Sequence, residues 1–165
     1  MNLQWTETKR RLMDKPINTG HGVECFFLQL TTTTGVKIFY SRKNRDHSHF
    51  GQKLAAKKRL APPAGQRFRI CNLEIPSEVE QYWLDSSWSK ELRYDSDSTV
   101  FYGYVTGVAN EVCETEWEEE EKLEDELLAI GLSAEDLGSA NMGRYGKDDR
   151  LVCIDFGRIS TPTRR

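Results

Sequence analysis

The chain has 165 residues, 38% hydrophobic and 30% charged. That is apolar material for a modest core under a well-solvated surface, in one domain or in two small lobes sharing a cleft. A net charge of −3 argues against general nucleic-acid binding, no stretch is long and apolar enough to span a membrane, and the first seven residues hold no apolar signal-peptide core. The expectation is a soluble cytoplasmic protein, with no membrane partner and no specific nucleic acid. Cys25, Cys71, Cys113 and Cys153 are far apart, none forms a C-x-x-C, and none stands at ligand spacing from His21, His47 or His49. Reduced thiols are therefore expected, not a zinc site or a disulfide scaffold.

The net charge conceals an asymmetry. Residues 41–69 carry Arg42, Lys43, Arg45, Lys53, Lys57, Lys58, Arg59, Arg67 and Arg69, while residues 111–126 are almost wholly acidic. Each block has the charge to attract a partner of opposite sign; two solvated helix faces would look the same.

In chain order, Val23–Leu30 is rich in strand formers, Thr31–Gly35 is turn-like, and Val36–Tyr40 is a second strand, so the pair reads as a hairpin. Lys37 lies inside the second apolar run, where a lysine either snorkels to the surface or points into a cleft at a negative group. Residues 48–60 have helical spacing, with Phe50, Leu54 and Ala55 on one face, and Pro62-Pro63-Ala64-Gly65 is expected to stop that helix. Phe68–Ile75 reads as a strand. Ser77 is placed as the N-cap of a helix carrying Val79, Tyr82 and Trp83, and Asp85–Ser98 as a polar surface excursion. Thr99–Val108 is again a strand. A helix is expected over 111–130, with Leu123, Leu127 and Ile130 at i, i+4 and i+7, Trp117 exposed or half-buried, and Gly131 as its stop. Its early glutamates are favoured by the helix dipole. Residues 132–150 read as a loop, Leu151–Ile154 as a short buried strand, and Arg158–Arg165 as a loose basic tail.

Phosphoryl transfer requires a lysine on phosphate, a carboxylate and a carboxamide on a hard metal ion, and a further carboxylate near the attacking hydroxyl. The chain offers these in order: Gly20-His21-Gly22 before a strand pair, Lys37 in the next strand, Asp136-Leu137-Gly138-Ser139-Ala140-Asn141 after an amphipathic helix, and Asp155-Phe156-Gly157 after a strand. Over roughly residues 16–160 it resembles the protein kinase-like superfamily, in the divergent style of small bacterial and phage kinase-like proteins. The resemblance implies an α+β kinase-like fold. An antiparallel N-lobe sheet with a packed helix would occupy 1–108, and a truncated helical C-lobe with the catalytic-loop and DFG-like segments 109–165. It implies ATP and Mg²⁺ as cofactors: Gly20, Gly22 and Lys37 on phosphates, Asn141 and Asp155 on metal, Asp136 as the catalytic residue. It also implies backbone groups near Val108–Asn110 available to an adenine edge. Taken singly, Asp136 equally suits a turn or an N-cap, Asn141 a left-handed turn, and Asp155 the end of a strand.

The chain also departs from the family pattern. Ala134-Glu135 stand where a His-Arg or His-Gly is usual. Asp46 is the only acid between Ser41 and Ile70, so no glutamate is available there to pair with Lys37, and Gln52 is the nearest polar substitute. The activation segment and large C-lobe helices are expected to be absent, which would expose apolar surface that homodimerisation could cover. The expectation is thus a degenerate, pseudokinase-like domain with weak ATP–Mg binding and little or no phosphotransfer. The alternative is a non-catalytic module whose acidic helix docks on a basic protein partner.

Overall fold

A computed structural model describes residues 5–21, 25–39, 41–71, 74, 100–134, 137–156 and 159–160. The helix expected from Ser77, the polar excursion 85–98, most of the tail, and Gly22, Asp136 and Gly157 lie outside the described residues. The architecture is α+β. The chain divides into two compact units, Met1–Arg45 with Gly65–Thr106, and Asp46–Ala64 with Gly107–Arg165. Among the described residues no helix is long and apolar enough to cross a membrane.

The first unit is built on a five-stranded sheet. Its strands are β1 (Asn18–His21), β2 (Cys25–Gln29), β3 (Thr34–Phe39), β4 (Ala64–Cys71) and β5 (Val100–Gly107), in the order β1-β2-β3-β5-β4. The expected hairpin is β2–β3, antiparallel, with Phe27 opposite Lys37 and Leu28 opposite Val36. Thr31 makes its turn: the Thr31 Oγ1 accepts from the Thr34 amide at 3.0 Å, and the Leu30 and Thr31 amides both donate to the Thr34 carbonyl. A hydroxyl that captures nearby backbone amides lets a threonine tract reverse the chain without glycine.

Alternation then decides the two faces. Phe26, Leu28, Val36, Ile38, Phe68, Ile70, Phe101 and Val105 point to one side and form the core with Leu12 of helix α1 (Trp5–Leu12). The opposite side carries Lys37 and a stacked pair, Phe39 on Tyr104, with centroids 5.9 Å apart. All six residues of β3 are buried, as befits the central strand of five.

Helix α2 spans Arg42–Ala56, not 48–60. It starts early because Ser41 caps it: the Ser41 Oγ accepts from the Asn44 amide at 3.4 Å. It also ends before the prolines. The Leu60 amide donates to the Ala55 carbonyl and the Arg59 amide to the Ala56 carbonyl, with Arg59 at φ 63°. That is a Schellman turn with arginine in the left-handed position usually taken by glycine, and it satisfies the helix's last carbonyls without any proline.

In the second unit, helix α3 (Trp117–Ala129) buries Leu123 and Leu127. It ends in the same motif, Leu132 amide to Leu127 carbonyl, with Gly131 at φ 81°, so the expected glycine stop is found. The helix starts six residues later than expected, since Asn110 is drawn into backbone pairing with Arg144 and Glu116 is extended. The stretch 132–150 is not a loop. It contains β6 (Ser133–Ala134), paired with β9 (Ile159–Ser160), a 3₁₀ turn at Ser139–Asn141, and β7 (Met142–Tyr145), which forms a hairpin with β8 (Arg150–Cys153). Gly146 at φ 84° and Asp149 at φ 46° turn that hairpin. The core joins Ala55, Leu60, Leu123, Leu127, Met142, Leu151 and Phe156.

Gly103 marks the tightest packing of the sheet. A Cβ there would stand 2.7 Å from the Lys37 carbonyl oxygen and 2.4 Å from the Phe68 ring. Because one of those neighbours is backbone, Gly103→Ala is expected to lower unfolding stability by about 1–3 kcal/mol, read from urea denaturation. Unchanged stability would contradict this packing.

Candidate functional site

The residues singled out for chemistry fall into both units. In the first, Gly20 pairs with Phe27 across β1 and β2. A Cβ there would meet only Phe27, at 3.7 Å, so the local packing does not demand glycine. Lys37 is 7% exposed, so it does not snorkel across the surface. Beside it on the same face lies Gly35, whose absent side chain is replaced by the Phe27 ring; a Cβ would come within 2.3 Å of that ring. A buried ammonium is retained only with polar or charged company.

In the second unit, Asn141 closes the 3₁₀ turn, its amide donating to the Gly138 carbonyl at 2.8 Å. It has negative φ, which removes the left-handed-turn explanation for this asparagine. The Asn141 carbonyl accepts from the Ile154 amide at 2.9 Å. Asn141 and Asp155 thus flank the open end of the β7–β8 hairpin, one on each strand's continuation. The preceding amide, that of Cys153, donates to the Leu60 carbonyl at 2.9 Å, and the Cys153 thiol donates to the Asp155 carbonyl at 3.2 Å. Phe156, fully buried, rests on Gly51 of α2, where a Cβ would approach its ring to 3.1 Å.

A carboxamide and a carboxylate are both hard oxygen donors, of the kind Mg²⁺ prefers and zinc does not. Among the described residues no group of three His, Cys, Asp or Glu could hold a metal ion.

The segment after β5 has its own constraints. The Gly107 amide donates to the Pro63 carbonyl at 3.0 Å. Asn110 exchanges both backbone bonds with Arg144, at 2.8 and 2.9 Å, so its backbone is not available to a ligand edge as expected. β7 approaches this segment so closely that a Cβ on Gly143 would lie 2.7 Å from the Ala109 Cβ.

Sequence reasoning missed Arg144. Its guanidinium binds Glu119 through two parallel bonds, 2.9 and 2.6 Å, and Nη1 also reaches the Asp149 carbonyl at 3.3 Å. One residue therefore joins the segment after β5, the first turn of α3 and the β7–β8 turn. The charge of the acidic tract hinted at such a cation, but a partner 25 residues away follows no local spacing.

No family model matches the chain, and no curated protein matches it in sequence. Its fold is similar to that of WbdD. Two WbdD structures, one of them described as that of the bifunctional kinase–methyltransferase, align over 91% of this chain with a TM-score of 0.50 and 10% identity. The likeness is one of fold. The chain spans about a third of the length of those proteins, 34% and 35%.

The Glu119–Arg144 pair sets a pH dependence. Hydrogen bonding from Arg144 holds the Glu119 carboxyl below its ordinary value. A depressed carboxylate contributes its stability in full above the ordinary glutamate range and loses it as pH falls through the lowered value. Both side chains are partly exposed, so the contribution is at most about 1 kcal/mol. Glu119→Gln is expected to lower the melting temperature slightly at pH 7 and to narrow its gap to wild type as the pH falls through that window. A gap that widens towards low pH would refute the assignment.

Proposed function

We propose that this chain is a kinase-like domain that binds ATP with Mg²⁺ weakly and transfers phosphoryl groups slowly or not at all. The observation that supports the reading is the backbone bond from the Ile154 amide to the Asn141 carbonyl, which brings the Asn141 and Asp155 segments to the same end of the β7–β8 hairpin. In this reading Asn141 and Asp155 hold the metal, Lys37, Gly20 and Gly22 receive the phosphates, and Asp136 orients a hydroxyl. The fold likeness to WbdD supports it as far as fold can, since function lives in the site and not in the fold. When bound, Mg²⁺ would neutralise charge developing on the transferred group.

The expectation of little turnover rests on positioning. Phosphoryl transfer depends on charges held in place, and a displacement of about 1 Å costs roughly 100-fold. The stretch Ser41–Ile70 contains no glutamate, and the Gln52 side chain donates to the Pro62 carbonyl at 3.0 Å. That stretch thus offers no glutamate of the kind the family uses to orient its lysine.

A second reading, a protein-binding module, has one specific observation in its favour. Trp117 is 67% exposed at the head of the acidic helix, flanked by Glu116 and Glu118. An exposed tryptophan among carboxylates has the chemistry of an anchor for a basic, partly apolar partner.

Thermal shift separates the two. Under the kinase-like reading, millimolar ATP with Mg²⁺ raises the melting temperature, Asp155→Asn abolishes the Mg-dependent rise, and Asp136→Asn leaves it nearly intact. Ligand at 100 times its dissociation constant would add about 2.7 kcal/mol. Indifference of the wild type to ATP–Mg would overturn nucleotide binding, and robust phosphorylation of a generic peptide would overturn the degenerate assignment.

A further inference from the structure

The helices of the second unit turn apolar side chains into one core, Ala55 from α2 and Leu123 with Leu127 from α3. Each helix also has an outward face. On α3 that face holds Trp117, Glu121, Glu124 and Leu128, all exposed and spaced at i, i+4, i+7 and i+11. Trp117 and Leu128 thus lie on one stripe, about three turns and roughly 16 Å apart along the axis, with two carboxylates between them. On α2 the outward face holds Phe50, 60% exposed, with Lys53, the half-buried Leu54 and Lys57 at i+3, i+4 and i+7. Both faces belong to the same compact unit, which spans Asp46–Ala64 and Gly107–Arg165.

The charges alone have a local account. Acids towards the start of a helix and lysines towards its end both suit the helix dipole. A single apolar residue at a surface needs no account at all. What remains is the combination. Each stripe sets apolar surface among charges of one sign, and the sign is opposite on the two helices. Such faces are complementary twice over, apolar to apolar and carboxylate to ammonium, which is how amphipathic helices select their partners. Within one copy the two faces do not cover each other, since Phe50, Trp117 and Leu128 all stay exposed.

We infer that the outward face of α3 docks on the outward face of α2 in a second copy of this chain. Trp117 and Leu128 cover Phe50 and Leu54, while Glu121 and Glu124 meet Lys53 and Lys57. Charge complementarity selects this occupant, because the chain itself carries the basic, aromatic-bearing helix that the acidic face fits. A two-fold axis would use both contacts at once and close the assembly at a dimer, whereas a head-to-tail arrangement would repeat one contact. The inference rests on the protein-binding reading of Trp117 and names its partner; it uses none of the residues assigned to ATP and Mg²⁺.

The test is sedimentation velocity of the full chain from micromolar to millimolar concentration, with charge-swapped variants. Wild type is expected to associate reversibly as concentration rises and to dissociate as salt rises. Lys53→Glu/Lys57→Glu and Glu121→Lys/Glu124→Lys should each weaken self-association about tenfold or more, because like charges then face each other. An equimolar mixture of the two variants should restore it, and so should one chain carrying all four substitutions. All four positions are exposed, and restored association itself shows that the variants fold. A wild-type chain that stays monomeric at every concentration, or swaps that leave association unchanged or fail to restore it together, would end the inference. Titration with a synthetic amphipathic lysine–leucine helix decides the wider reading separately. Binding that is lost in Trp117→Ala keeps a basic partner of another kind, and no binding removes the protein-binding module as well.

Discussion

Two consecutive amides, those of Cys153 and Ile154, determine where the second unit keeps its polar side chains. A strand sends successive amides in opposite directions. Here one goes to the Leu60 carbonyl, just past the turn that ends α2, and the next to the Asn141 carbonyl, at the start of β7. The chain that continues into Asp155 is thereby pinned on both edges. Phe156 then fills the core against Gly51 and fixes the direction in which the backbone leaves. The hairpin register sets Asn141 opposite Ile154, one residue before Asp155.

The first unit solves a different problem, how to bury a lysine in a central strand. Strand alternation places Val36 and Ile38 in the core and leaves Lys37 on the face of Phe39 and Tyr104. Gly35 and Gly103 allow the neighbouring chain to come close: Phe27 covers one, and Phe68 with the Lys37 carbonyl crowds the other. A buried ammonium requires polar or charged company, a demand that a lysine at a strand end, open to water, does not make.

What the sequence made legible was what periodicity and local chemistry encode. The β2–β3 hairpin, β5, β8 and the Leu123–Leu127 stripe of α3 could be read from alternation or from i, i+4 spacing. The limits of α2 could not, because the prolines that seemed to end it stand beyond a Schellman turn made by Arg59, and left-handed arginine leaves no mark in composition. The β7 strand was hidden for a related reason. Met142-Gly143-Arg144-Tyr145 has too short a run to alternate visibly, and its glycine is dictated by the approach of Ala109, a contact between residues distant in sequence. Of the candidate site, the aspartate and asparagine motifs were readable as residues in order. The Arg144 tie across 25 and 34 positions to Glu119 and Asn110 was not.

The two charged tracts looked symmetric in sequence, and the helix dipole separates them. The glutamates of α3 crowd its first turn, where each carboxylate is favoured by about 0.3–1 kcal/mol at an exposed site, and Glu119 gains Arg144 besides. Solubility and helix stability explain that tract; what they leave unexplained is Trp117, which gains nothing from the dipole and remains exposed. The cations of α2 stand at the same end of their helix with the opposite sign, so each is disfavoured by a similar amount and by its neighbours as well. Arg45 shows how the fold answers that cost from within, since its guanidinium is buried against the Phe68 carbonyl and the Tyr102 ring.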